Sequence, residues 1–328
     1  MPAGRRYVSY KGSSEPVGEG VGVGKYIIRR LLQMIPVIIG VTFIIYVSVF
    51  ALGDPTVGRC GERACPEGYI AKFKADYNLD EPLIVQYVLY MGNLLQGDLG
   101  TNFFGNRVID ELAERWPTTL KLGIMAVIIE SVIGITAGVL AGIRRGKFID
   151  NLVTVSTLFL ISIPIFVIGS FAQLIFGVRL GWFPVTATQG TTYQLILPAF
   201  VLASASVAYI ARLMRANLGE NLRADYVRTA KAKGLTNRRT IGVHTLRNSL
   251  IPVVTFIGID IGALMGGAIV TERIFNINGI GNFLYRSIGQ KDGTSVVGTI
   301  VCLVLIYLLV NLIVDILYGF LDPRISHD

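Results

Sequence analysis

The sequence is poor in charge and in the residues that do chemistry. Of its 328 residues only 16% are charged, and it contains two histidines and three cysteines. His244 lies in a basic segment and His327 close to the end, and no H-E-x-x-H, G-x-S-x-G or phosphate-loop pattern occurs. Metal-assisted hydrolysis, acyl transfer and nucleotide hydrolysis therefore have no residues to run on, and an intramembrane hydrolase would lack its base. The glycine-rich run before Lys25 has Glu19 and Tyr26 where a phosphate loop needs glycine and a serine or threonine, so it reads as linker. No active site, metal or cofactor is expected in this chain.

What is abundant is apolar: 52% of the residues are hydrophobic, too many for one soluble domain of this size. Stretches of about 20 apolar residues recur, each long enough at ~1.5 Å per residue to cross a ~30 Å hydrocarbon layer. Six are read, at 26–52, 118–143, 151–178, 193–214, 250–271 and 296–320. They must be helices, because a lone strand leaves its amides unpaired in lipid and the alternation of a membrane barrel is absent. A seventh stretch, 82–95, has about 14 residues and opens on Asp80-Glu81-Pro82, which favours an interfacial or loop-packed helix over a span.

Charge sets the expected orientation. Arg5, Arg6, Lys11 and Lys25 precede the first span and Arg29 and Arg30 lie at its start; Arg144, Arg145 and Lys147 follow the second; a dense run from Arg212 to Arg247 begins at the end of the fourth; Arg324 follows the sixth. The loop 53–117 mixes its bases with more acids, so the positive-inside rule puts both termini in the cytoplasm. Basic loops facing anionic lipid account for the net charge of +8 without a nucleic-acid partner. The expected organisation is a disordered cytoplasmic tail over 1–24, a membrane domain over 25–324 and a short cytoplasmic tail over 325–328. Within the membrane domain, 53–117 is an extracytoplasmic loop and 216–249 a cytoplasmic one. No cleavable leader is expected before the first span, which is expected to stay as an anchor.

Several residues stand out against the apolar background. Gly134, Gly138 and Gly142, and again Gly258, Gly262 and Gly266, recur every fourth residue, a stripe that lets another helix approach closely, in bundle packing or along a substrate path. Pro36, Pro164, Pro198 and Pro252 can kink their spans. Glu130, Asp260, Glu272 and Asp315 lie in or near spans, where a charge costs about 2.5–3.5 kcal/mol. Asp260 is deepest, with either a place in a translocation path or a partner in the bundle or across subunits; Glu272 and Asp315 suit caps or salt bridges near the interfaces. Cys60 and Cys65 fall in the extracytoplasmic loop, where a disulfide closing a small ring is permitted, whereas zinc needs more ligands. Cys302 reads as packing in the sixth span.

The segment 216–249 is the most informative. Leu222, Tyr226 and Ala230 recur at i, i+4 and i+8 on a helix with Arg223, Arg228, Lys231 and Lys233 on its other faces, and Gly234 can end it in left-handed geometry. Asn237 is the expected cap of a second helix running through Arg238, Arg239 and His244. The order Asp225-Tyr226-Val227-Arg228-Thr229-Ala230-Lys231-Ala232-Lys233-Gly234-Leu235, followed by Leu246-Arg247-Asn248-Ser249-Leu250-Ile251-Pro252, resembles the EAA loop of ABC transporter permeases of the dipeptide/oligopeptide class. Gly53-Asp54-Pro55, Leu79-Asp80-Glu81-Pro82-Leu83, Gly97-Asp98-Leu99-Gly100, Pro117-Thr118-Thr119-Leu120, Gly279-Ile280-Gly281 and Leu321-Asp322-Pro323-Arg324 extend the likeness over about 25–324. The long loop after the first span resembles the B-type subunit.

That resemblance implies an all-α polytopic membrane protein with the type I ABC importer permease fold and a coupling helix over 225–234. Asp225, Tyr226, Arg228, Thr229, Ala230, Lys233, Gly234 and Leu235 would meet an ATPase, with Arg228 where other permease classes carry the motif's glutamate. Implied partners are a C-type permease forming a heterodimer, two ATP-binding cassette subunits that bind the ATP and magnesium, an extracytoplasmic binding protein and the surrounding lipid. Peptides are the implied cargo, with glutathione or nickel chelates as the alternative, and the implied location is the cytoplasmic membrane. Asn278 before Gly279 and Asp292-Gly293-Thr294 depart from the family pattern. An ion-driven secondary transporter would instead carry internal repeats and helices broken at mid-membrane.

Overall fold

A computed structural model describes residues 23–51, 66–76 and 78–321. Cys60 and Cys65, most of the expected N-terminal tail and the C-terminal tail lie outside the described residues. The regular structure of the described residues is helical, with one isolated antiparallel bridge between Thr101 and Arg107, as apolar segments in lipid require. The elements are α1 (Val23–Tyr46) with a π-helical turn (Val47–Ala51), α2 (Glu67–Asp76), α3 (Leu83–Leu95), α4 (Val108–Ile143), α5 (Phe148–Ser162), α6 (Ile165–Ala172) with a π-helical turn (Gln173–Arg179), α7 (Thr192–Asn221), α8 (Asp225–Ala232), α9 (Asn237–Arg239) with a π-helical turn (Thr240–Thr245), α10 (Leu246–Ile274), α11 (Ile280–Gly289) and α12 (Gly293–Leu321). The second span starts ten residues earlier than its apolar stretch, because Pro117 is absorbed inside α4 and the polar 108–117 segment continues the helix.

Helix α7 is the centre of the bundle. Leu195, Ala199, Ala203, Ala208, Ile210, Ala211, Met214 and Leu218 are all fully buried along it, and α4, α5, α6 and α10 pack around it. The α4 face toward it is the first glycine stripe. A Cβ on Gly134 would lie 2.7 Å from the Ile210 side chain, and one on Gly138 would lie 2.5 Å from the Ala211 carbonyl oxygen and 2.6 Å from Met214 Cβ. A Cβ on Gly142 would meet Leu218 at 3.1–3.3 Å. These contacts are shorter than ordinary van der Waals separation, so the two backbones approach as closely as they do only because side chains are missing there. In the second stripe a Cβ on Gly262 would lie 3.0 Å from the ring of Tyr307 on α12, Gly258 is partly exposed, and the surroundings of Gly266 fall outside the described side chains.

The third span is not one helix, which corrects the continuous 151–178 segment expected from hydropathy. Its two halves, α5 and α6, meet at a bend of 102°. Ile163 adopts extended geometry (φ −99°, ψ 127°) and Pro164 stands outside α6 as its N-cap, in keeping with the bias of a residue before proline toward extended backbone and the missing proline donor. Pro36, Pro198 and Pro252 by contrast lie inside α1, α7 and α10. The bent pair still carries the chain across the bundle. At its start Asp150 binds Arg215 near the end of α7, with Arg215 Nη2 donating to Oδ2 at 2.9 Å and Nε also donating. At its end Gln173 Nε2 donates to the carbonyls of Val185 and Ile274, at 2.8 and 2.9 Å. Among the described residues five helices are long and apolar enough to cross a membrane, and the bent pair, taken as one span, makes six.

Helices α1 and α12 pack on each other at the edge of the bundle, and Ile28, Leu32, Ile35, Ile39 and Ile44 on α1 are exposed, the surface that lipid would cover. Helix α3 does not cross. It buries Gln86 and Tyr87 against α1, where Tyr87 donates to the carbonyl of Ile39 at 3.0 Å and shares a 2.7 Å hydrogen bond with Thr42.

Candidate functional site

The exposed connection between α7 and α10 is built around α8. This helix starts at Asp225, where the coupling helix is expected to begin, and ends two residues early at Ala232, while Leu222 of the expected stripe still belongs to the end of α7. The face turned toward the bundle also differs from the expected 222–226–230 stripe. Val227 is the buried residue, 1% exposed, with Ala230 partly buried beside it, while Tyr226 is 38% exposed. Stripe periodicity alone could not choose between the two registers, since α8 is barely two turns long.

The C-terminal stop is the one the glycine permits. Gly234 has φ +80°, Leu235 N–H donates to the Ala230 carbonyl and Gly234 N–H to the Lys231 carbonyl, at 3.2 and 2.9 Å, which closes α8 in a Schellman-like turn. Thr236, not Asn237, then caps α9: its side-chain oxygen accepts from Arg239 N–H at 3.4 Å, and Asn237 is the first helical residue.

A polar chain ties this helix to both neighbouring spans. Tyr226 Oη donates to Asn221 Oδ1 at 3.1 Å, Asn221 Nδ2 donates to Ser249 Oγ at 3.0 Å, and Ser249 Oγ donates to the Thr245 carbonyl at 2.8 Å. Asn221 ends α7 and buried Ser249 opens α10, so hydrogen bonds link Tyr226 to both helices. The outer surface presents Arg228, Thr229, Lys231 and Lys233, all exposed. Asp225 and Arg228 form a 3.5 Å ion pair, almost wholly in solvent, where such a pair holds little energy. The sequence reading missed Val227, Asn221 and Ser249. Val227 had a signal, as a lone β-branched apolar residue in a basic run; the two polar residues had none, because their pairing spans 28 positions.

At the opposite end of the bundle Glu272 closes a second node. It is fully buried, accepts from Thr119 Oγ1 at 2.7 Å and from Asn282 N–H at 2.9 Å, while Thr119 Oγ1 in turn accepts from Ile280 N–H at 2.9 Å. The carboxyl thus caps the start of α11 and joins it to α4 and α10, a capping role of the kind its position near a span end implied. Gly279 has no room for a side chain, since a Cβ there would run into that carboxyl.

In the middle of the bundle, Glu130 on α4 is fully buried, with the Asp260 carboxyl of α10 and the Ser206 hydroxyl of α7 as its near polar neighbours. Neither Glu130 oxygen nor Asp260 Oδ2 completes a regular hydrogen bond. Asp260 is therefore turned at least partly into the bundle toward another acid. The side chain of Asp315 lies outside the described residues, and among them no group of three metal-ligating side chains comes together.

This arrangement, six crossings with an exposed basic helix slung between the fourth and fifth, has counterparts of known sequence. Residues 134–327 match the family described as binding-protein-dependent transport system inner membrane component, and residues 23–123 match the N-terminal region described for such membrane components. The chain is 38% identical over 331 residues to the di/tripeptide transport system permease protein DppB of Pseudomonas aeruginosa (strain UCBPP-PA14), covering 92% of this chain and 98% of that protein. It is 36% identical over 304 residues to the glutathione transport system permease protein GsiC of Shigella flexneri serotype 5b (strain 8401), with 92% and 99% covered. Against the oligopeptide transport system permease protein AppB of Bacillus subtilis (strain 168) it is 37% identical over 317 residues, again with 92% and 99% covered. The single broken span has no broken counterpart elsewhere among the described helices, so the paired interruptions of an ion-driven transporter are not seen there. With the matched regions running over the same helices that build the bundle and carry α8, the chain belongs to the family of binding-protein-dependent transport system inner membrane components, as an integral membrane permease.

Proposed function

We propose that this chain is the B-type permease of an ATP-driven importer that brings peptides through the cytoplasmic membrane, with both termini and α8 on the cytoplasmic side. The observation that carries the reading is α8: an exposed basic helix, anchored by Val227 and linked through Tyr226, Asn221 and Ser249 to the ends of α7 and α10. A helix held in this way passes rigid-body motion of a docked partner to two membrane spans at once. Two ATP-binding cassette subunits would supply that motion and bind the ATP and magnesium. A C-type permease would complete the path, and an extracytoplasmic binding protein would deliver the cargo.

Peptide cargo is supported by the names of relatives at 37–38% identity, which transport di- and tripeptides or oligopeptides. Glutathione, itself a tripeptide, is the second reading, supported by the 36% identical glutathione permease. Asp260 is proposed to border the translocation path when α4 and α10 move relative to each other.

The test is to purify the tagged chain in mild detergent, identify its companions, and measure ATP-dependent uptake of a labelled dipeptide in vesicles. ATPase subunits are expected with it. Gly234→Pro, which cannot adopt the φ of +80°, is expected to leave insertion intact and to separate ATP hydrolysis from uptake. A chain that is stably alone and transports without nucleotide would overturn the proposal.

A further inference from the structure

At the end of the bundle away from α8, a cavity of about 240 Å³ opens between the end of α1, the helix α3 and the turn at 97–101, lined by Tyr46, Gln86, Tyr90 and Asp98 among others. A space of that size holds about eight waters at ~30 Å³ each, or one small organic molecule. Three of its polar groups can accept, beside the amides of Asn78 and Asn93, which can also donate. Gln86 commits its amide nitrogen to the carbonyls of Leu79 and Glu81, at 3.1 and 2.7 Å, which leaves Oε1 as its free end with only a long 3.4 Å bond from Tyr46 Oη. Asp98 uses one carboxylate oxygen for the N–H of Gly100, at 2.8 Å. Tyr90 Oη is buried without a hydrogen-bond partner, and the Tyr46 and Tyr90 rings lie 5.2 Å apart between centroids. Asp98 is exposed to solvent, and no lysine, arginine or histidine is among the lining residues described, so water rather than a neighbouring cation balances its charge.

We propose that this cavity binds a small ligand through a primary ammonium group. An ammonium has three donors and no acceptor, and Asp98, Gln86 Oε1 and Tyr90 Oη offer three acceptors beside two aromatic rings that favour a cation. Resting on the permease reading, the ammonium is the N-terminus of a peptide arriving at the extracytoplasmic face, held before it enters the path between the subunits.

The test titrates alaninamide, and separately its neutral N-acetyl derivative, into the full chain purified with whatever subunits accompany it, following intrinsic fluorescence and the thermal unfolding midpoint. Alaninamide is expected to bind and the acetylated compound not to. Asp98→Asn keeps an oxygen for Gly100 and is expected to weaken alaninamide binding about tenfold or more, the loss of one charge-assisted contact. Tyr90→Phe removes a hydroxyl that no protein group uses, so it should leave the unliganded midpoint unchanged or higher while weakening binding. Equal binding of the acetylated compound, unaltered binding by Asp98→Asn, or no binding of alaninamide at millimolar concentration overturns the proposal. Because binding needs neither ATP nor transport, absence of companion ATPases would remove the peptide assignment and leave the amine site standing.

Discussion

Replacing Gly138 by alanine tests whether the α4–α7 contact is set by the backbones themselves. The new Cβ would sit 2.5 Å from the Ala211 carbonyl oxygen and 2.6 Å from Met214 Cβ. Ordinary contact begins near 3.4 Å, so the helices must part by about 1 Å or the carbonyl must tilt out of its own ladder. Neither neighbour is the loose end of a side chain: one is main chain and the other is the first carbon of a fully buried residue. Overpacking of this kind costs about 1–3 kcal/mol. Against it stands the gain of about 1 kcal/mol from exchanging glycine for alanine inside a helix, which leaves a net loss of roughly 0–2 kcal/mol.

The control lies in the same protein. At Gly142 the added Cβ meets only the Leu218 side chain at 3.1–3.3 Å, and at Gly40 on α1 nothing lies within 4 Å. Gly40→Ala should therefore keep the propensity gain and Gly142→Ala most of it, each between neutral and about 1 kcal/mol more stable. Thermal unfolding in one mild detergent, followed by tryptophan fluorescence and by the monodisperse peak on gel filtration, ranks the three. The expected order of midpoints is Gly40→Ala, then Gly142→Ala, then Gly138→Ala below the parent. A Gly138→Ala protein that melts at or above Gly40→Ala would refute the claim that α4 and α7 touch through their main chains.

Two further variants probe the polar nodes. Glu272→Gln keeps the shape but turns an amide nitrogen toward the Asn282 N–H, a donor, or toward the Thr119 hydroxyl, which already accepts from Ile280 N–H and would lose its acceptor; a loss of about 2–4 kcal/mol and earlier proteolysis within 276–292 are expected, and unchanged stability would show that α11 is held by apolar packing alone. Asp150→Asn breaks the two-bonded contact with Arg215, which is 31% exposed and so still partly solvated. The expected loss is about 1–3 kcal/mol, read as a lower unfolding midpoint, and hydrogen exchange should rise at the start of α5 rather than across the bundle.

The sequence by itself determined that this is a helical membrane protein, roughly where the chain crosses, and that a basic helix hangs between the fourth and fifth crossings. Those properties are local: twenty apolar residues must satisfy their amides internally in lipid, and Gly234 ends a helix by its own backbone freedom. It also supplied the acids at 130, 260 and 272 as residues needing a reason to be where they are. The tertiary structure decided what that reason is in each case. Thr119 finds Glu272 across 153 positions, and Glu130 finds Asp260 only because α4 and α10 are rotated toward each other around α7. The same holds for the break at Pro164, since four other prolines stay inside their helices, and for Val227 rather than Tyr226 being the buried anchor of α8. Periodicity fixes which residues share a face, whereas the rotation of that face and its depth against a neighbour come from packing between segments far apart in the chain.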